Sequence, residues 1–185
     1  MAEETEKIVQ LIEKVTTSEL LIRHDTPAKE ALDEAAKIKK KFDSSVERVN
    51  QFQAYQGTLK IPTAAIQEVA DFEKQFNIRN RLWTIRQTFT EQQRRWYGEN
   101  FRDQKADVIC ATVKEKQTEL LKLKAQIGRD VKDEVHEAAF KEVNEVAKYS
   151  KLIEALGEPA MQAKHWSKVW SLVETAPATL MNFPL

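Results

Sequence analysis

The chain has 185 residues, 42% hydrophobic and 31% charged, with 29 cationic and 29 anionic side chains. That length implies one domain or one elongated helical unit, and zero formal charge supplies no global field to gather nucleic acid or an anionic membrane. Four glycines and five prolines are too few for an all-β protein or a disordered linker, and the single Cys110 excludes an internal disulfide framework and fits a reducing compartment.

No apolar run nears the ~18 residues of a membrane span, and the acidic start Met1-Ala2-Glu3-Glu4 is unlike a signal peptide. The expectation is a soluble, intracellular, all-α chain: an elongated bundle of about five to six long antiparallel helices.

In chain order, Ile8, Leu11, Ile12 and Val15 lie on one face of a short amphipathic helix over 3–16. Thr26-Pro27 reads as an N-cap followed by proline at the first helical position. Ala31, Ala35, Ile38, Phe42, Val46, Val49 and Phe52 then recur every three or four residues. They predict a helix over 27–53, roughly 40 Å long at ~1.5 Å per residue. Gly57 and Pro62 break the pattern, and Thr63 can cap the next helix.

That helix carries Ile66, Val69, Phe72, Phe76, Leu82-Trp83, Phe89 and Trp96, and Gly98 with Asn100 ends it. One long helix over 63–97 is expected, the alternative being a break near Asn77–Asn80. Asp103 can cap the following helix, whose buried face is Ile109, Val113, Leu120, Leu123 and Ile127, with Gly128 as its stop. Asp130 starts a further helix marked by Val131, Val135, Ala139, Val143, Val146, Ser150 and Ile153, down to Leu156. These two helices should pair as an antiparallel hairpin. Gly157 fits the positive-φ position after a helix C-terminus, and Pro159 the first turn of a last helix reaching about Glu174. On that helix Met161, Trp166 and Val169 share a face. Leu180–Leu185 is an apolar tail.

The chemistry is sparse. With glycine only at 57, 98, 128 and 157, neither G-x-x-x-x-G-K-[ST] nor G-x-G-x-x-G can be assembled. Asp133-x-x-His136 resembles half of a carboxylate-bridged metal site, but such sites in bundles need a second Glu-x-x-His motif. His136 therefore reads as a solvated surface residue, and no cofactor or metal is expected. Cys110 sits beside Ile109 in an apolar-periodic helix and reads as a small buried hydrophobe rather than a thiolate. Lys37, Lys39, Lys40 and Lys41, like Arg94-Arg95-Trp96-Tyr97, are flanked by acidic residues and read as solvated helix faces, not nucleic-acid sites. Trp83, Trp96, Trp166 and Trp170 read as packing residues.

The order of these motifs carries a resemblance. Gln53-Ala54-Tyr55-Gln56-Gly57-Thr58-Leu59-Lys60-Ile61-Pro62 precedes Leu82-Trp83, then Trp96, Phe101 and Asp103, and the series closes on Leu156-Gly157-Glu158-Pro159-Ala160-Met161-Gln162-Ala163-Lys164-His165-Trp166. Over about residues 46–175 it resembles the N-terminal part of the linker region of dynein heavy chains. That family's pattern reads Tyr-Gln-x-x-Leu-x-x-Pro, Leu-Trp, a spaced Trp and Phe, and Leu-x-Asn-Pro-Ala-Met/Leu-x-x-Arg-His-Trp. Glu158 replaces the usual Asn, Lys164 the usual Arg, and Phe89 stands where Trp is common.

The resemblance implies tail-end helices over 1–52, a linker-like helical bundle over 53–176 and the apolar tail over 177–185. It implies a non-catalytic lever that transmits conformational change from a C-terminal ATPase ring outside this chain. Tyr55, Pro62, Leu82, Trp83, Trp96, Phe101, Gly157, Pro159, His165 and Trp166 would be its packing residues. Implied partners are the rest of a dynein heavy chain, dynein intermediate or light chains, and microtubules only indirectly, with no nucleic acid and no membrane. The implied setting is cytoplasmic and cytoskeletal, extending to the cilium or flagellar axoneme, and the overall pattern is closer to the axonemal branch. Two other readings stay open on the residues alone: a free-standing helical scaffold or coiled-coil protein, and a helical-bundle metalloenzyme.

Overall fold

The computed structural model describes residues 2–61 and 65–172. Pro62, Thr63, the end of the last expected helix near Glu174 and the 177–185 tail lie outside the described residues. The fold is all-α: α1 (Ala2–Thr17), α2 (Glu19–Ile22), α3 (Ala28–Thr58), α4 (Gln67–Gly98), a 3-10 turn (Phe101–Asp103), α5 (Ala106–Ile127), α6 (Glu134–Ala147), α7 (Ser150–Leu156) and α8 (Ala163–Ser171). Among the described residues these eight α-helices exceed the expected five to six. The chain forms two compact units, residues 1–86 with 123–138 and residues 87–122 with 139–185.

Several boundaries differ from the sequence reading. Pro27 is the N-cap of α3 rather than its first helical residue, since its carbonyl accepts the N–H of Ala31 at 3.1 Å. Gly57 does not stop α3. The stop comes at Lys60, whose φ of 56° places a lysine in the left-handed region. There the Ile61 N–H reaches the Gln56 carbonyl at 2.9 Å and the Lys60 N–H reaches Gly57 at 3.0 Å, the paired bonds of a Schellman end. α4 is one continuous helix of 32 residues, as expected. Asp103 belongs to the 3-10 turn and α5 begins at Ala106. Gly128, with φ of 115°, ends α5 where a left-handed residue is needed.

The next helix starts at Asp133, not Asp130: Asp133 Oδ1 accepts the His136 backbone N–H at 3.0 Å, and its carbonyl accepts that of Glu137 at 2.9 Å. The helix expected to reach Leu156 breaks instead. Tyr149 N–H bonds Val146 three residues back at 3.0 Å, which tightens the last turn, and α7 restarts on the Tyr149 carbonyl. α5 meets the link that follows it in the first unit and α6 in the second. Lys124 Nζ reaches the Val131 carbonyl at 2.5 Å in the first, and Gln117 Nε2 reaches Asn144 Oδ1 at 2.6 Å in the second.

In the first unit, the stripe Ala31, Ala35, Ile38, Phe42 and Val49 of α3 is buried against Ile8 and Val15 of α1 and Phe72 of α4. Phe42 stacks on Phe72 with ring centroids 3.8 Å apart, and Phe72 on Phe76 at 5.5 Å. Trp83 is fully buried, and its indole N–H donates to the Leu21 carbonyl at 3.0 Å. Arg86 lies over that indole, 5.1 Å from the ring centroid, and donates to the His24 carbonyl at 2.7 Å. Glu4, on the inner side of α1, takes Lys7 at 2.9 Å and Arg48 of α3 at 3.2 Å, while Lys14 reaches Glu34 at 2.9 Å. In the second unit, Phe89, Val113, Leu120, Ala139 and Val143 are all buried.

Two predictions follow from these contacts. Replacing Trp83 with Phe keeps most of the ring but leaves the buried Leu21 carbonyl without its donor, which should cost about 1–3 kcal/mol in urea unfolding. Lysine hydrogen bonds hold the Glu4 and Glu34 carboxyls below their ordinary value of 4.5. A depressed folded value means stability that is present above pH 4.5 and lost as pH falls through the lower folded value. The melting temperature should therefore drop over that acid window, and a Glu4→Gln, Glu34→Gln chain should show a flatter drop.

Candidate functional site

The sequence singles out the 156–166 stretch, and in the second unit it forms an aromatic corner with the end of α4. Gln104 closes that end of α4: its side-chain amide donates to the Trp96 carbonyl at 2.9 Å and the Glu99 carbonyl at 3.1 Å. The 3-10 turn then carries Phe101 inward, 5% exposed. Phe101 meets Trp166 edge to face at 6.1 Å, and Trp166 stacks on Trp170 at 5.8 Å. Trp166 and Trp170 are four residues apart on α8, so they present one buried face. Phe89 packs edge-on against half-buried Trp96 at 5.8 Å.

Gly157 works differently from the expectation. Its φ is −82°, an ordinary right-handed value, so no left-handed turn requires glycine here. The requirement is space: a Cβ at Gly157 would collide with the Cβ of Ala106 at the start of α5. Pro159 does not sit in the first turn of the last helix either. It lies exposed in the link, and α8 begins four residues later at Ala163 with Gln162 as N-cap. Met161 is thus outside α8. His165 completes the helix start, its Nδ1 accepting the Gln162 N–H at 3.1 Å, which puts the neutral ring's proton on Nε2.

Beside the corner is an apolar cavity of about 220 Å³, with Trp96, Ile109, Val146 and Ile153 in its wall and the exposed Tyr97, Tyr149 and Leu152 at its edge. Cys110 is half-buried and donates its S–H to the Ser150 carbonyl at 3.5 Å. Burial pushes its thiol up from the ordinary value, the opposite of what a nucleophilic thiolate needs.

The other expected residues are scattered. Leu82 and Trp83 are fully buried in the first unit. Tyr55 is 67% exposed. It lies six positions beyond buried Val49, about 120° around α3 from the packed stripe at 3.6 residues per turn. His136 is not a solvated surface residue but 5% exposed. Its neighbour Asp133 is committed on both oxygens, Oδ1 to the His136 amide and Oδ2 to Arg79 Nη1 at 2.7 Å. Among the described residues no group of three or more His, Cys, Asp or Glu side chains could hold a metal ion. Ala106 and Gln104 escaped the sequence reading because nothing in their local pattern marks them. Trp170, expected as a packing residue, is buried, and its four-residue spacing from Trp166 is the signal that pairs the two.

Gly157→Ala should destabilise the chain by about 1–3 kcal/mol through overpacking, and adding Ala106→Gly should restore most of the loss. Failure of Ala106→Gly to rescue, measured by thermal unfolding, would mean that the close approach is not what selects glycine.

A family model described as dynein heavy chain, N-terminal region 2, matches residues 69–184. No curated protein and no solved structure matches the chain. The family match takes in Trp83, Trp96, Phe101 and the whole 156–166 corner, and spans more than half of the sequence. The chain therefore belongs to the dynein heavy chain N-terminal region 2 family.

Proposed function

We propose that this chain is a non-catalytic lever segment of a dynein-type microtubule motor, carrying conformational change from an ATPase ring elsewhere in the heavy chain. Residues 53–176 act as the linker-like bundle and 1–52 as the end of the tail. The observation that supports the reading most is that the family match covers the corner in which α8 is anchored to the 3-10 turn through Phe101, Trp166 and Trp170. A closely packed interior resists compression, so a displacement applied at one side of such a corner is passed on rather than absorbed. Dynein intermediate or light chains bind the same heavy chain, and microtubules are met only through the motor's other parts. The setting is cytoskeletal, and the motif pattern favours an axonemal motor.

The test places Trp166→Ala in a motor-competent dynein heavy chain containing this segment. Microtubule gliding should slow several-fold while ATP turnover persists. Gliding at the unaltered rate would overturn the lever role, as would calorimetric binding of ATP by the isolated 185-residue chain.

A further inference from the structure

The first unit holds a groove that the corner and the lever do not use. α1 and α3 run antiparallel: Glu4 meets Arg48 near one end, and Lys14 meets Glu34 toward the other. An open groove of about 430 Å³ lies along them. On α1 its wall is Lys7, Gln10, Leu11 and Lys14, and on α3 it is Lys41, Ser44, Ser45 and Arg48. Both rows follow the same i, i+3, i+4, i+7 spacing, with a cation at each end and uncharged residues between. Each helix thus sets two cations about 10.5 Å apart along its axis.

The charges are sorted by depth. Two of the carboxylates that pair with this groove are turned inward, with the Glu4 side chain 7% and Glu34 13% exposed, while Glu3, 81% exposed, reaches Lys7 from the rim at 2.8 Å. The cations face outward, Lys7 at 40%, Lys14 at 47% and Arg48 at 56%. Lys41 is exposed as well. A chain of zero net charge therefore presents a groove whose lining holds four cations and no carboxylate, Lys41 adding its charge to the three that also pair with Glu3, Glu4 or Glu34.

A groove between two antiparallel helices is filled by a third helix lying along it. We propose that the α1/α3 groove docks an acidic helix of another polypeptide chain, with carboxylates recurring at seven-residue spacing and small or apolar residues between them. The carboxylates meet the cations at the ends of each row, and the intervening residues cover half-buried Leu11. The groove lies between two helices and carries four cations, which suits a single acidic segment better than the many phosphates of a duplex or the flat headgroup plane of a membrane.

The test uses the full chain and a fluorescent synthetic alanine-based helical peptide with glutamates seven residues apart on one face. Anisotropy at low salt should show binding, lost at about 1 M salt, where screening reaches ~3 Å. A peptide of the same composition with the glutamate positions shuffled should bind at least about tenfold more weakly. Lys41→Glu, at an exposed position, should melt like the parent chain and weaken binding about fivefold or more. Equal binding of the shuffled peptide, unchanged binding to a normally melting Lys41→Glu chain, or tighter binding of duplex DNA or phosphatidylserine vesicles would each overturn the proposal.

Discussion

The hydrogen bond from the Trp83 indole to the Leu21 carbonyl is the contact on which the first unit depends most. Both partners need it. An indole N–H buried with its ring requires an acceptor, and Leu21 lies in α2, a four-residue helix whose last carbonyls have no helical donor of their own. The bond ties two segments 62 residues apart. Arg86 reinforces it one turn later by covering the ring and binding the His24 carbonyl. With α2 held on α4, the chain between α1 and α3 has a set path, and those two helices can lie antiparallel with Phe42 stacked on Phe72.

The second unit is held in another way. Its corner rests on shape: a missing Cβ at Gly157, a small Ala106 opposite it, and three aromatic rings in sequence from Phe101 through Trp166 to Trp170. Polar groups there finish helix ends. Gln104 serves the last carbonyls of α4, and His165 serves the start of α8.

Buried charge follows the same economy. Asp133 starts α6 with one oxygen and neutralises Arg79 with the other, so a motif that resembles a metal half-site is a helix cap joined to an ion pair. Glu4 is placed inward between Lys7 and Arg48, and this inward turn of carboxylates leaves the cations of α1 and α3 on the outside.

The all-α class, the long α4, the α3 stripe at Ala31, Ala35, Ile38, Phe42 and Val49 (though not at half-buried Val46 or exposed Phe52) and the family relationship were legible in the sequence, because helical periodicity and the ordered tryptophan, phenylalanine and proline motifs are local or linear signals. Gly128 was legible too, since a left-handed stop strongly favours glycine. The break at Tyr149 was not, because Val143, Val146, Ser150 and Ile153 keep their phase across it. Tyr55 matched a motif, yet its angle on α3 takes it off the packed face. Only tertiary structure decided the reasons at the corner and at Asp133. Whether a glycine is kept for its φ or for the space beside it, and whether an aspartate next to a histidine binds metal or a helix end, depends on the neighbour across the fold. For Gly157 that neighbour is Ala106, and for Asp133 it is Arg79, and each is separated from its partner by about fifty residues of chain.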